Sequence, residues 1–155
     1  MEILLRLVAC IVLLVAYTTA NIVQDSADEI ENEELFLEKR QPCPTITFPC
    51  GPGSPMPTVC LNMKTAIANG HPSQLHRITD RNAIAKNRRD SGCTRMPKPP
   101  GKNCDEYPFA SSQEGGTGAQ IMAVPIRENS MQGGLLGGFY RSQGIGDGDC
   151  YNVIA

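Results

Sequence analysis

The chain has 155 residues, 41% of them hydrophobic, with four phenylalanines, four tyrosines, no tryptophan and a formal charge of −2. So few aromatics exclude a large apolar core, and the length suits one modest domain. One apolar run stands near the start and none follows it, which excludes a polytopic membrane protein.

In chain order, residues 1–20 carry Arg6, then an apolar run from Leu7 to Ala16, then small residues ending at Ala20. That layout predicts a secretory signal peptide, since the apolar run is shorter than the ~20 residues of a membrane span. Residues 21–40 hold seven acids and close on Lys39-Arg40, and they read as an acidic propeptide released by a processing protease at the dibasic pair. Removing them changes the charge balance. Residues 41–155 hold eleven Lys/Arg against eight Asp/Glu, a surplus of three that suits a polyanion binder. The acidic arm is therefore expected to restrain the basic mature part until it is cut. Unprocessed protein as active as protein starting at Gln41 would contradict this.

Cys10 falls in the signal, leaving Cys43, Cys50, Cys60, Cys93, Cys104 and Cys150. An even count in a secreted chain predicts three disulfides, in any of about 15 pairings. No CxxC pair is present, and no cysteine stands at finger spacing from His71 or His76, which argues against zinc.

Residues 41–57 are Pro/Gly-rich, with a short β-like run at Thr45–Phe48. Val59, Met63 and Ile67 predict a helix over 58–69, which Gly70 can stop. A second helix is expected over 80–90, capped by Asp80. Prolines make 94–103 a loop carrying Arg95, Lys98 and Lys102. A strand is expected over 119–125. Leu135, Leu136 and Phe139 then predict a helix over 128–143 despite its glycines. GIGDGD is a turn, and 151–155 a closing strand. The order gives an α+β fold, a small disulfide-stabilised single domain in which a β-hairpin and helix carry the acids.

Those acids stand in CDEYPFASSQEGG. Extended backbone would point Asp105 and Glu106 to opposite faces. A hairpin turning at Gly115-Gly116 would return Glu114 toward Asp105. Clustered carboxylates hold a hard divalent cation or take a proton from water. Arg88, Arg89, Lys98, Lys102 and Arg127 supply a cationic rim suited to a phosphodiester. His71 and His76 read as structural residues after the first helix. GGTG lacks the ending of a phosphate loop, and DGD is too short for a calcium loop.

AIANGHP, DRNAIAKNRR, PKPPG, CDEYPFASSQEGGTGA, PIRENS and DGDCYNVIA together resemble the NucA/NucB-type secreted deoxyribonucleases, from about residue 58 to 155, in a disulfide-containing eukaryotic branch. The resemblance implies a ββα-metal nuclease core and a secreted, sequence-nonspecific endonuclease that hydrolyses DNA. It implies Mg²⁺ or Mn²⁺ as cofactor and a monomer with no membrane anchor once the signal is gone. It places Asp105 at the catalytic base, Glu106 and Glu114 at the family's acidic positions, and Asn129, with Glu114, at the metal. Arg88, Arg89, Lys102 and Arg127 are the implied backbone contacts. The chain departs from bacterial relatives at Asn103, Cys104, Tyr107 and Phe139, where they carry an acid, an arginine, a tryptophan and a polar helix residue. Two other readings stand beside this one: a metal-independent ribonuclease using His71 and His76, and a disulfide-rich binding module without catalysis.

Overall fold

Pro57 presets the backbone of a first helical turn at no cost in hydrogen bonds, and Val59, Met63 and Ala66 then recur on one face. Helix α1 accordingly spans Pro57–Ala68, within a residue of expectation at each end. The structure, a computed structural model, describes residues 42–155; the expected signal peptide and propeptide, with Lys39-Arg40, lie outside them. Cys43–Ala155 form one compact unit.

Helix α2, Arg81–Asp90, starts where Asp80 accepts the backbone N–H groups of Asn82 and Ala83 at 3.0 and 3.3 Å, as its sequence signal predicts. Three short strands form one sheet. Strand β5, Cys150–Ile154, lies between β1, Thr45–Thr47, and β2, Gln74–His76. It runs parallel to β1, with Ile46 opposite Val153, and antiparallel to β2, with Leu75 opposite Tyr151. Strand β2 falls in a stretch after the first helix for which the sequence predicts no element.

The second sheet is the hairpin of β3, Lys102–Tyr107, and β4, Gln120–Pro125, in which Asp105 faces Met122. Helix α3, Ile126–Ser142, follows β4 directly. Hairpin and helix form the expected ββα unit, although α3 begins two residues early. Its buried face is Glu128, Gln132, Leu136 and Tyr140, four residues apart each time, whereas Leu135 is exposed. Of the three apolar residues read from the sequence, Leu136 is buried and Phe139 is half-buried against the core, and Leu135 alone faces outward. Helices α1 and α3 pack on the hairpin and on each other, and Met56, Val59, Met63, Tyr107, Val124 and Tyr151 are central to the core.

Glu114 does not return toward Asp105 as expected. The twelve residues between the hairpin strands run instead along β2, bonding Gln113 N to His76 O and Ile78 N to Ser111 O. Gly115-Gly116 serves close packing there. A Cβ on Gly115 would meet Phe109 O at 2.3 Å, and one on Gly116, where φ is +97°, would meet Asn87 Oδ1 at 2.9 Å. Asn87 in turn donates to the carbonyls of Ala110 and Ser112, fastening α2 to this loop.

Three disulfides are formed: Cys43–Cys150, Cys50–Cys60 and Cys93–Cys104. The first ties the segment before β1 to the last strand. The third joins the segment after α2 to β3, beside the acids. Among the described residues, no helix is long and apolar enough to cross a membrane.

Candidate active site

Strand alternation sends Asp105 and Glu106 to different surroundings, as extended backbone requires. Asp105 turns inward and is 2% exposed. Its Oδ2 accepts the Asn62 side-chain amide at 2.9 Å, and the same amide approaches Asp105 O at 3.3 Å. Oδ1 is not used by Asn62, and Asp105 is among the residues that line the cleft. Burial is the main reason its pKa is pushed up to about 7. Asn62 opposes the shift, Glu106 adds to it, Gln132 opposes it, and Glu128 adds to it.

Glu106 takes the outward side. Burial raises its pKa, while Arg88 and Lys98 pull it down. Arg88 Nε lies 4.0 Å from Glu106 Oε1. Glu106 Oε2 lies 3.1 Å from Cys93 Sγ, a contact and not a hydrogen bond, because that sulfur carries no proton in the disulfide with Cys104. Cys93, Cys104 and Glu106 bring three donor atoms within 4.8 Å. Both sulfurs are spent in the disulfide, so the carboxylate is the only ligand that trio offers.

Helix α3 supplies the opposite wall through its first turns. Asn129 donates its Nδ2 to Cys104 O at 3.3 Å, across to β3, and its side chain lines the cleft. Glu128, one residue earlier, points away from the cleft. It accepts Thr58 N at 2.7 Å, Val59 N at 3.1 Å and the Thr58 hydroxyl at 3.2 Å. It thus caps α1, whose own N-cap, Met56, makes no side-chain cap. Two buried atoms here have no hydrogen-bond partner, Asn62 Oδ1 and Gln132 Nε2.

Between these walls lies a cleft of about 450 Å³. Asp105, Glu106 and Asn129 line it together, as the sequence reading grouped them. Of the expected cationic residues, Arg88 lines it and Lys98 joins it, while Arg89, Lys102 and Arg127 do not. Glu114 is absent from its lining as well. Its Oε1 accepts His76 Nδ1–H at 2.6 Å and its Oε2 accepts His76 N at 3.0 Å, so the carboxylate is committed to β2. Neither His71 nor His76 lines the cleft.

Sequence reasoning passed over Asn62, Glu128 and Gln132. A signal for each was present. Asn62 falls on the face of α1 that Val59 and Ala66 define, and Glu128 and Gln132 stand in register with Leu136 and Tyr140. A polar residue in phase with a buried apolar stripe must find a partner inside.

The family model for Deoxyribonuclease NucA/NucB matches residues 63–154, more than half of the chain. The matched span holds the hairpin, α3 and every residue named in the cleft. The chain belongs to this deoxyribonuclease family. No curated protein matches it.

Proposed function

We propose that the protein is a secreted, metal-dependent, sequence-nonspecific endonuclease that hydrolyses phosphodiester bonds of DNA in this cleft. Membership of the family supports the deoxyribonuclease class. The observation that carries the reading is Asp105, an acid held 2% exposed, pushed up by burial to about 7, and lining a cleft that also holds Arg88 and Lys98. An unperturbed aspartate, with a pKa of about 3.9, is a poor base. One raised to about 7 holds a water proton far better and is still ionised in half the molecules at neutrality.

The donors fit a hard cation. Asp105, Glu106 and Asn129, all with oxygen donors, line the cleft, and its sulfurs are oxidised, which suits Mg²⁺ or Mn²⁺ over a thiophilic metal. Asn129 and Glu106 would hold the ion. When bound, it would supply Lewis-acid stabilisation of charge on the phosphate and leaving oxygens. Asp105 Oδ1 takes the proton of the attacking water while Asn62 fixes the carboxylate through Oδ2. Arg88 and Lys98 hold the backbone phosphates. These contacts recognise phosphate and not base, so cleavage lacks sequence preference and weakens with salt.

The signal at 1–20, cleavage after Lys39-Arg40 and action as a monomer outside the cell complete the reading, in keeping with three disulfides. The test is cleavage of a labelled duplex with and without excess EDTA. Chelation is expected to abolish cleavage; hydrolysis that survives it contradicts metal dependence.

A further inference from the structure

Helix α3 carries Gly133, Gly134, Gly137 and Gly138, and a Cβ at three of them would meet nothing within 4 Å; at Gly137 it would meet only Arg141 Nη1, at 3.6 Å. Packing inside the molecule therefore does not require these glycines, although each costs a helix about 1 kcal/mol relative to alanine. Gly133 and Gly137 line the cleft, so its α3 wall is bare backbone there. Beside Gly133 stands Gln132, 5% exposed and also lining the cleft. Its amide lies toward the Asp105 carboxylate and favours the ionised form as a hydrogen-bond donor does, but Nε2 makes no hydrogen bond of normal length and angle, so the donor is underused rather than isolated. A buried donor left unpaired is costly, and native proteins rarely keep one without use for it.

We propose that Gln132 is a substrate-contacting residue: its Nε2–H donates to a non-bridging oxygen of the scissile phosphate. The DNA strand lies against the Gly133/Gly137 surface of α3, opposite Arg88 and Lys98. This rests on the nuclease reading of the same cleft. The glycines let the sugar-phosphate backbone approach the helix closely enough for a short, buried side chain to reach phosphorus-bound oxygen. Being neutral, the amide tightens as charge gathers on that oxygen, so its contribution falls mainly on the chemical step.

Gln132→Met keeps the volume and removes the donor. Steady-state cleavage of a fluorescent duplex in Mn²⁺, across pH and beside a thermal melt, reads the result. Expected are a kcat on the pH plateau lower by roughly 10- to 100-fold, a KM for DNA changed less than about threefold, an acid limb moved upward because Gln132 no longer favours the Asp105 carboxylate, and melting at or above wild type, because an underused buried amide has gone. Gly133→Val, exposed and free of clash, is expected to weaken binding of the same duplex to Asp105→Asn protein. An unchanged kcat overturns the phosphate contact. So does a displaced acid limb with the plateau kcat at the wild-type value, which makes Gln132 a positioning residue for Asp105 alone, and so does a loss that merely tracks a lower melting temperature. Wild-type protein that cleaves no DNA at all sinks the nuclease reading together with this one, whereas active wild type with equally active Gln132→Met sinks this one alone.

Discussion

Asp105 is pushed toward its protonated form because folding removes more solvation from its carboxylate than the Asn62 hydrogen bond restores. The consequence for stability has a definite sign. Its folded pKa, about 7, lies above the usual carboxylate range, so the folded state keeps a proton that the unfolded chain has lost between pH ~4 and ~7. This contribution is full below the unfolded pKa and is lost as pH rises through about 7. Glu106, also raised by burial, adds in the same direction. Metal-free protein should therefore need less urea to unfold at pH 8 than at pH 5. Asp105→Asn should flatten that difference by on the order of a few kcal/mol. Equal slopes in the two proteins would show that Asp105 is not raised. The acid itself was legible in the sequence as part of a carboxylate cluster. Its burial was not, because Asn62 and Gln132 come from helices 43 residues before and several turns after it, and only the folded chain brings them together.

Among the elements, α1 and α3 are joined at one carboxylate. Glu128 bonds two backbone N–H groups and a hydroxyl of the first turn of α1, a task given to a residue on another helix because Met56 cannot perform it. Glu128→Ala should cost about 1–3 kcal/mol in chemical denaturation; a value near zero would mean that the first turn is satisfied by solvent. The glycines divide by position. Gly115→Ala forces a Cβ to 2.3 Å from Phe109 O and should unfold or rearrange the loop. Gly134→Ala, on an exposed site with nothing within 4 Å, should raise the melting temperature, by up to ~1 kcal/mol in stability. A destabilised Gly134→Ala would contradict the open surface described for α3. Glycine spacing alone did not separate these cases. Gly115-Gly116 read as a hairpin turn and the glycines of 128–143 as tolerated within a helix, and only the proximity of Phe109 and Asn87 shows which pair is held by packing. Strand β2 was hidden for a related reason. Gln74–His76 has one buried side chain, Leu75, too little alternation to register, and its partner lies at the far end of the chain.

At the scale of the molecule, the three-stranded sheet and the hairpin are secured by covalent ties that the sequence could count but not pair. Cys43–Cys150 spans 107 residues and Cys50–Cys60 only 10. On a chain-entropy account the longer loop contributes about 4.7 kcal/mol and the shorter less than about 3. Replacing both cysteines of the first pair by alanine should lower the urea midpoint more than replacing the second pair; the reverse order would place the stabilisation in local strain or packing. The ββα order and its acids were readable because they lie within one contiguous stretch, from β3 to α3. The departure of Glu114 to His76 was not, because it depends on where a twelve-residue loop lies against a strand from elsewhere in the chain. The division follows sequence separation: local periodicity and caps are written in neighbours, and burial is written in distant pairs.

The most direct test of the account is the nicking of supercoiled plasmid by protein beginning at Gln41, in Mg²⁺ and in Mn²⁺, beside the Asp105→Asn variant. The carboxamide keeps the shape and the Asn62 contact of the side chain and cannot take a proton. The account predicts open-circular product from the wild type and a rate at least about 100-fold lower from the variant, with both proteins folded by circular dichroism. Equal nicking by the two proteins would contradict it.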